Sequence, residues 1–189
     1  MMQSEEAVLR FLEGDEEAFD LIVRQWESKV YNLAWRFLGN REDAQDVAQE
    51  TFLSVFRSIR TLREPKSFST WLYRIVLNHC RARWRSQGPE ISLDDAVPGR
   101  EGSKREPSLA LVVGRREQDT LEIVDLIRKA LSGLSGEHRS AIILKEYVGL
   151  SLEEVAGVMG CPLSTAKSRL YHGLRGVQRN LSRMGVKTS

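Results

Sequence analysis

Apolar residues recur at intervals of three and four along most of the chain, the spacing that places them on one face of an α-helix. A first short run of this kind ends at Gly14, and a second ends at Gly39. Asp15 is expected to cap the second helix. Its apolar positions are Phe19, Ile22, Val23, Trp26, Val30, Leu33, Ala34 and Phe37. No segment alternates convincingly as a strand does, so the pattern predicts an all-α fold.

A third helix is predicted after Asn40, whose side chain can cap it. Its expected core stripe is Ala44, Val47, Ala48, Phe52, Val55, Phe56 and Ile59. The opposite side is expected to present the polar residues Asp43, Asp46, Gln49 and Glu50. From the residues alone, both a solvated surface and a contact surface are open interpretations of this acidic side.

Helical spacing stops in the loop Leu62 to Ser67, where Pro65 interrupts it, and resumes from Phe68 to Ser86. This last segment combines aromatic, amide and guanidinium groups at Trp71, Tyr73, Asn78, Arg81, Arg83, Trp84 and Arg85. Aromatic rings interleaved with positive charge are what unpaired bases need for stacking and backbone contact. A purely structural core role for Trp71 and Trp84 is the competing interpretation.

Between residues 87 and 115 the periodicity fails, because this stretch contains the helix breakers Pro89, Pro98, Gly99, Gly102 and Pro107. The sequence therefore predicts two small helical domains, residues 1–86 and 116–189, joined by a linker at 87–115. In the second domain, Ser135 is expected to cap a helix that Gly149 ends.

The stretch from Ser151 to Arg183 is typical of a helix-turn-helix. Ser151 and Glu154 match a capping box, Gly160 permits a sharp turn, and Pro162 prevents the first helix from continuing. The longer second helix has an expected buried stripe at Leu163, Ala166, Leu170, Leu174, Val177 and Leu181.

The other face of that second helix is polar and basic, with Ser164, Thr165, Lys167, Ser168, Arg169, Tyr171, His172 and Arg175. These side chains can contact phosphates or base edges in a major groove. No acidic residue follows Glu154, so the positive charge is uncompensated, as a phosphate-binding surface requires. A solvated basic helix that closes a small bundle is the structural alternative.

Charge is distributed unevenly: 28 Lys and Arg against 26 Asp and Glu give a net charge of only +2, but the C-terminal segment is basic and the N-terminal part acid-rich. Cys80 and Cys161 lack CxxC spacing and no signal peptide or long apolar run occurs, which favours a reduced, cytoplasmic protein. His79 precedes Cys80, but neighbouring helical residues point in different directions, so no metal or other cofactor is expected. The absence of a nucleophile, carboxylate pair or phosphate loop argues against an enzyme.

These residues together make the chain resemble a bacterial sigma factor of the extracytoplasmic-function group, in the sigma-70 family. DAQDVAQETFLSVFRSI, from Asp43 to Ile59, resembles the family segment that docks on the core polymerase clamp. FSTWLYRIVLNHCRARWR resembles the segments that melt and read the minus-ten promoter element. LSGEHRSAIILKEYVGLSLEEVAGVMGCPLSTAKSRL resembles the domain that reads the minus-thirty-five element.

The resemblance implies a sigma-two-like and a sigma-four-like domain without catalytic activity, whose partners are core RNA polymerase, promoter DNA and an anti-sigma factor. It implies polymerase binding by Asp46, Gln49 and Glu50. It implies minus-ten contacts by Trp71, Tyr73, Asn78, Arg81, Arg83 and Arg85. Gly173 departs from the family pattern, and its low helix propensity is expected to loosen the distal half of the second helix of the helix-turn-helix.

A stand-alone helix-turn-helix transcription regulator is the competing hypothesis. It would use residues 1–86 as a sensor or dimerisation domain and predicts a ligand pocket or a dimer seam there. The acidic side of one helix beside an aromatic and basic helix favours polymerase docking and promoter melting instead.

Overall fold

The structure, a computed structural model, describes residues 4–86 and 119–186, with side chains described from residue 126 onward in the second range. Its α-helices are α1 (Ser4–Leu12), α2 (Ala18–Leu38), α3 (Arg41–Ser58), α4 (Phe68–Ser86), α5 (Asp119–Ser132), α6 (Gly136–Ile142), α7 (Leu152–Met159) and α8 (Leu163–Arg183). No strand occurs among the described residues, and the all-α prediction is confirmed. The predicted linker, residues 87–115, lies outside the described residues.

The chain divides into two compact units. The N-terminal unit contains α1 to α4, and the C-terminal unit contains α5, α6, α8 and most of α7. Between α3 and α4 the chain forms two short 3₁₀ turns, Ile59–Thr61 and Pro65–Ser67, and only the second lies within the predicted loop Leu62 to Ser67.

The core of the N-terminal unit lies where α2, α3 and α4 pack together, with α1 against α2. Ile22, Leu33 and Leu72 are fully buried there. The ring of Trp26 meets the rings of Phe68 and Tyr73 edge-on, with centroids 5.8 and 5.6 Å apart. Burial of each large apolar side chain contributes about 1.5–3 kcal/mol, so this core fixes how α4 lies against α2.

Two helix starts in the N-terminal unit show where local polar groups decide the boundary. Asn40 caps α3 as predicted, because its Oδ1 accepts hydrogen bonds from the backbone N–H groups of Glu42 and Asp43 at 2.8 and 3.3 Å. The predicted cap by Asp15 is wrong. Its carboxylate accepts from Arg10 Nε at 2.9 Å, and α2 begins later, at Ala18, where the N-cap residue Glu17 makes no capping hydrogen bond with its side chain.

Phe56 is another correction, since the sequence placed it in the core stripe of α3. Its side chain is 49% exposed. The ring lies at the edge of the core, 5.8 Å from the ring of Phe11 and 5.0 Å from that of Phe19. One side of Phe56 is therefore packed and the other faces solvent.

In the C-terminal unit, α8 packs against α5 and α6. The buried cluster consists of Ala130, Leu131, Leu134, Ile142, Leu174, Val177 and Leu181. The predicted capping box is confirmed: the Ser151 N–H donates to Glu154 Oε2 at 2.7 Å, and the Glu154 N–H donates to Ser151 Oγ at 3.1 Å. Gly160 has a φ of 63°, which suits glycine at the sharp turn.

The helix after Ser135 differs in one respect from the sequence pattern. Ser135 caps it as predicted, with its Oγ accepting from the His138 N–H at 3.4 Å. The α-helical part ends at Ile142, and a π-helical turn, Ile143–Tyr147, follows. Gly149, with a φ of 82°, ends the segment as expected.

Arg139 is a buried cation that ties α6 to α5. Its side chain is 2% exposed, and its Nε and Nη2 donate to the carbonyl oxygen of Leu131 at 3.1 and 2.8 Å. That carbonyl lies in the last turn of α5, where helical partners run out. Burial lowers the pKa of Arg139 to about 10, so the guanidinium stays charged at neutral pH.

The expected loosening of α8 at Gly173 is wrong, because α8 continues without a break to Arg183. Gly173 is buried, and a Cβ there would lie 2.9 Å from Ile142 Cδ1. The missing side chain thus permits the close approach of α6 and α8, and this packing outweighs the low helix propensity of glycine.

Candidate nucleic-acid and protein interfaces

The outward face of α8 is accessible over its first three turns. Lys167, Arg175 and four of the six other predicted DNA contacts are exposed, whereas Thr165 and Arg169 are half-buried. Ala166 and Leu174 point into the core from the opposite face. The helix is thus held by its apolar stripe and leaves a polar, acid-free side in solvent.

Two contacts organise this outward face. Arg169 Nη1 lies 2.8 Å from Glu137 Oε2 of α6, so an anion that binds Arg169 must compete with a carboxylate. The guanidinium of Arg175 lies 4.9 Å from the centre of the Tyr171 ring, a cation–π arrangement that orders both side chains. Sequence patterns cannot reveal the first contact, because its partners come from different helices.

One face of α4 collects most of the residues expected to meet unpaired bases. At 3.6 residues per turn, Trp71, Asn78, Arg81 and Arg85 fall on one stripe. Asn78 and Arg85 are exposed, and Trp71 and Arg81 are half-buried. Trp71 also contacts Phe68, with ring centroids 6.1 Å apart, so part of the indole belongs to the packing.

The structure corrects the prediction for Tyr73, which was expected to offer a ring to a base. The side chain is only 7% exposed and packs edge-on against Trp26. Tyr73 lies about 140° around the helix from Asn78, because five residues separate them. Its aromatic ring is therefore part of the core.

Arg83 also departs from its expected position on the strand-binding face. Its Nε donates to Asp43 Oδ1 at 2.7 Å and its Nη2 to Asp46 Oδ2 at 2.9 Å. The hydrogen bond to Asp43, followed by the charge of that carboxylate, raises the pKa of Arg83. This guanidinium is thus committed to α3, and not to the exposed face of α4.

Arg74 belongs to the exposed stripe of α4 but is not among the DNA contacts predicted from the sequence. It follows Trp71 by three residues and precedes Asn78 by four, and it is exposed. That spacing is the signal that could have found it. A basic residue thus lies between the aromatic and amide groups.

The acidic side of α3 presents three of its four predicted residues to solvent. Gln49 is exposed, and the side chains of Asp46 and Glu50 are 50% and 57% exposed. Asp43 is the correction: its side chain is only 11% exposed, because Arg83 covers it. We call Asp46, Gln49 and Glu50 the acidic face.

An exposed apolar residue extends the acidic face. Leu53 follows Glu50 by three residues and is 54% exposed, and Phe56 follows Leu53 by three. Leu53 is not among the contact residues predicted from the sequence, although its spacing of three residues from Glu50, outside the core stripe of α3, was the available signal. Exposed large apolar side chains beside charges are typical of protein-contact surfaces.

His79 of α4 meets the acidic face from the side. Its Nδ1 lies 3.4 Å from Glu50 Oε2, and its Nε2 lies 2.9 Å from Ser54 Oγ. Cys80, the neighbouring residue, points into the core and is fully buried. Among the described residues, no group of three His, Cys, Asp or Glu side chains could hold a metal ion.

The hypothesis of a stand-alone regulator predicts a ligand pocket in residues 1–86. The N-terminal unit has a cleft of about 730 Å³. Its walls include Trp26, Lys29, Lys66 and Phe68. The Lys29 ammonium lies 4.5 Å from the centre of the Trp26 ring, so a cation already covers the aromatic face.

Within residues 4–86 and 119–186, no helix combines the length and the apolar character needed to cross a membrane.

Comparison with protein families gives two matches in chain order. Residues 22–90 match Sigma-70 region 2, and residues 125–175 match Sigma-70, region 4. The first range contains the acidic face and the exposed stripe of α4. The second contains the helix-turn-helix as far as Arg175.

Curated proteins match over nearly the whole chain. The ECF RNA polymerase sigma factor SigW of Bacillus subtilis is 32% identical over 182 residues, which cover 95% of this chain and 97% of SigW. The RNA polymerase sigma-H factor of Pseudomonas aeruginosa is 33% identical over 188 residues, with 95% and 94% coverage.

Solved structures agree in fold. CnrH, solved in complex with the cytosolic domain of CnrY, superposes with a TM-score of 0.69 at 22% identity, and the match covers 95% of this chain and 97% of CnrH. The sigma factor RpoE of Bartonella quintana, in complex with the anti-sigma factor NepR, has a TM-score of 0.61 at 25% identity, with 87% and 96% coverage.

Proposed function

The chain belongs to the extracytoplasmic-function sigma factors of the sigma-70 family, and we propose that it divides transcription initiation among three surfaces. In this proposal, residues 1–86 are a sigma-two-like domain, 87–115 a linker and 116–189 a sigma-four-like domain. The acidic face of α3 binds core RNA polymerase, the exposed stripe of α4 binds the minus-ten element, and α8 binds the minus-thirty-five element. No catalytic step is assigned to the chain, which acts in the cytoplasm where polymerase and DNA meet.

The observation that carries this proposal is the accessible, acid-free outward face of α8. The N-terminal part of a recognition helix enters the major groove most deeply, so Lys167 and Arg169 are placed for base edges. Arg175, Arg179 and Arg183 lie further along and suit phosphates. A bidentate base contact is worth about 1–3 kcal/mol of discrimination, whereas phosphate contacts mainly set the salt dependence.

The exposed stripe of α4 supports capture of unpaired minus-ten bases. Asn78 carries both a donor and an acceptor for a base edge, and the half-buried ring of Trp71 offers stacking worth about 1–3 kcal/mol. Arg74, Arg81 and Arg85 supply positive charge for the strand backbone. Extruding a base costs a few kcal/mol, and these contacts offset that cost.

The acidic face of α3, with its apolar extension, supports docking on a basic surface of polymerase. Asp46, Gln49 and Glu50 are all solvent-accessible, and Leu53 extends the same side. Charge complementarity steers the encounter, while the apolar side chain adds buried area in the complex.

We also propose an anti-sigma factor as a partner. The related RpoE, at 25% identity, was solved with the anti-sigma factor NepR. A protein that covers Leu53 and the acidic face would block docking on polymerase. The regulator would then act by competition for a surface that initiation requires.

Transcription reconstituted from purified components tests the proposal. The full chain is combined with core RNA polymerase and a library of promoter fragments, and the start sites are sequenced. We expect specific start sites that depend on both proteins. Lys167→Ala with Arg169→Ala should abolish base selection at the minus-thirty-five element, while Gln178→Ala, at an exposed position further along α8, should not. Specific duplex binding without any effect on polymerase would instead identify a stand-alone regulator.

A further inference from the structure

Two side chains of α4 reach across to the acidic face of α3. Arg83 bridges Asp43 and Asp46 at 2.7 and 2.9 Å, and His79, one turn earlier, lies 3.4 Å from Glu50. Asp46 is therefore hydrogen-bonded from the neighbouring helix, and Glu50 lies within contact distance of it.

His79 and Arg83 point away from the exposed stripe of α4. At about 100° per residue, they lie about 100° and 140° around the helix from Asn78. The same helix thus presents one side to solvent and another to α3. A residue on the second side can affect docking without meeting the promoter strand.

The two carboxylates that Arg83 contacts differ in exposure, and this sets their roles. The Asp43 side chain is 11% exposed and that of Asp46 is 50% exposed. The guanidinium is therefore anchored at its buried end. At its other end it binds Oδ2 of Asp46, which leaves Oδ1 for a partner.

We propose that Arg83, anchored on Asp43, is a positioning residue that holds the Asp46 carboxylate in the orientation that polymerase binds, and that His79 does the same for Glu50. This inference rests on the proposed docking through the acidic face. Arg83 is thereby assigned to polymerase binding, whereas the family resemblance implied contact with the minus-ten strand.

The expected loss of polymerase affinity follows from the cost of ordering a side chain when two proteins bind. Ordering one mobile side chain on binding corresponds to about a two- to tenfold loss in affinity. Because Arg83 orders Asp46 before docking, its removal should weaken polymerase binding by this factor. The loss should disappear when Asp46 itself can no longer make the contact.

A double-mutant cycle on the full chain measures this dependence. Affinity for core polymerase is determined by competition for Arg83→Gln, Asp46→Asn and the double variant. We expect Arg83→Gln to weaken binding about two- to tenfold alone and to have no further effect beside Asp46→Asn. The same cycle with His79→Gln and Glu50→Gln should behave alike. Equal losses in both backgrounds, or no loss in the wild-type background, would overturn the proposal.

Binding of a single-stranded minus-ten oligonucleotide separates positioning from strand contact. Arg83→Gln should leave this binding unchanged, and the matched variant Arg85→Gln should weaken it while leaving polymerase affinity unchanged. Weaker oligonucleotide binding by Arg83→Gln, with unchanged polymerase affinity, would show that Arg83 contacts the strand and would overturn its positioning role.

Folding is controlled by a second variant, because Arg83→Gln alone leaves the buried Asp43 carboxylate without its cation. Asp43→Asn with Arg83→Gln removes both charges and should show the same loss of polymerase affinity. Wild-type affinity in this variant would overturn the positioning role. If charge reversal of Asp46 and Glu50 also left affinity unchanged, the proposed docking face itself would fail. If that reversal weakened binding while Arg83→Gln did not, only the positioning role would fail.

Discussion

Gly173 of α8 and Ile142 of α6 approach each other too closely for a side chain at position 173. A Cβ there would lie 2.9 Å from Ile142 Cδ1 and 3.1 Å from the carbonyl oxygen of His138. The side-chain methyl can shift, but the backbone oxygen belongs to a helix and cannot move freely. The absence of a side chain at position 173 thus allows α6 and α8, which support the recognition surface, to pack closely.

Gly173→Ala should lower the stability of the C-terminal unit. Alanine gains about 1 kcal/mol in helix propensity, but overpacking of a well-packed core costs about 1–3 kcal/mol. We expect a net loss of about 1 kcal/mol, measured by urea unfolding of the full chain.

Gly176→Ala is the control for Gly173→Ala. A Cβ at 176 would meet Leu134 Cδ2 at 2.5 Å and no backbone atom within 4 Å. The end of the Leu134 side chain can rotate, so this variant should be closer to wild type despite the shorter contact. Equal destabilisation by both substitutions would contradict the role of the His138 carbonyl.

Arg139→Ala should destabilise the protein by roughly 2–4 kcal/mol, because it leaves a cavity and removes both hydrogen bonds to Leu131. Burial lowers the pKa of Arg139 from its ordinary value to about 10 in the folded state. The folded and the unfolded pKa both lie well above pH 8, so the two states bind the same number of protons at this residue from pH 6 to 8. The difference in unfolding free energy between wild type and variant should be constant over that range, and a steep dependence would show that another group titrates with it.

Glu137→Gln should strengthen binding to promoter DNA. The substitution releases Arg169, which is paired at 2.8 Å, and removes a negative charge beside the recognition helix. An exposed ion pair is worth about 0.2–1 kcal/mol, so the gain should be up to about fivefold at low salt. Fluorescence anisotropy of the polymerase-bound protein on promoter duplex measures it, with the exposed Glu146→Gln as a charge-matched control. No gain relative to that control would mean that Arg169 stays away from DNA.

Asn78→Ala should reduce promoter opening without weakening polymerase binding. Loss of one hydrogen bond, about 0.5–1.5 kcal/mol, predicts a two- to tenfold less stable open complex. Permanganate reactivity of unpaired thymines measures opening. Sequencing of the promoter fragments that each variant still opens measures base preference. Arg85→Ala should lower opening on all sequences but leave the preference intact, and unchanged preference in both variants would exclude Asn78 as a base reader.

Charge reversal on the acidic face should release the protein from polymerase. Asp46→Lys with Glu50→Lys places cations opposite a basic partner, and loss of a buried charged contact costs about 2 kcal/mol or more, roughly a thirtyfold loss in affinity. Glu13→Lys with Glu27→Lys makes the same change in net charge at exposed positions outside α3. Only the first pair should weaken binding, as measured by competition with labelled wild-type protein.

Helical periodicity predicted most elements and the buried stripes, since each is a property of one local segment. The same periodicity separates Tyr73 and Arg83 from the stripe of Asn78 and Arg85, because each of the first two residues lies about 140° around α4 from Asn78. The predicted minus-ten contacts were grouped by residue type, as aromatic or basic, without regard to the face of α4 that each residue occupies.

Pairings between helices could not be predicted from such local patterns. The contact of Arg169 with Glu137, the bridge from Arg83 to Asp43, and the packing of Gly173 each depend on how two elements meet. The contact of Arg10 with Asp15, the residue expected to cap α2, likewise joins α1 to the turn that follows it.

The contrast between the two cysteines makes the protein suitable for labelling at one site. Cys80 is fully buried, and burial raises the pKa of its thiol, so the reactive thiolate is suppressed in the folded state. Cys161 is partly exposed and free, and it lies two residues before α8 begins. A thiol-reactive fluorophore added to the native protein should therefore attach at Cys161 and report the arrival of DNA at the neighbouring helix, with no cysteine engineered in or removed.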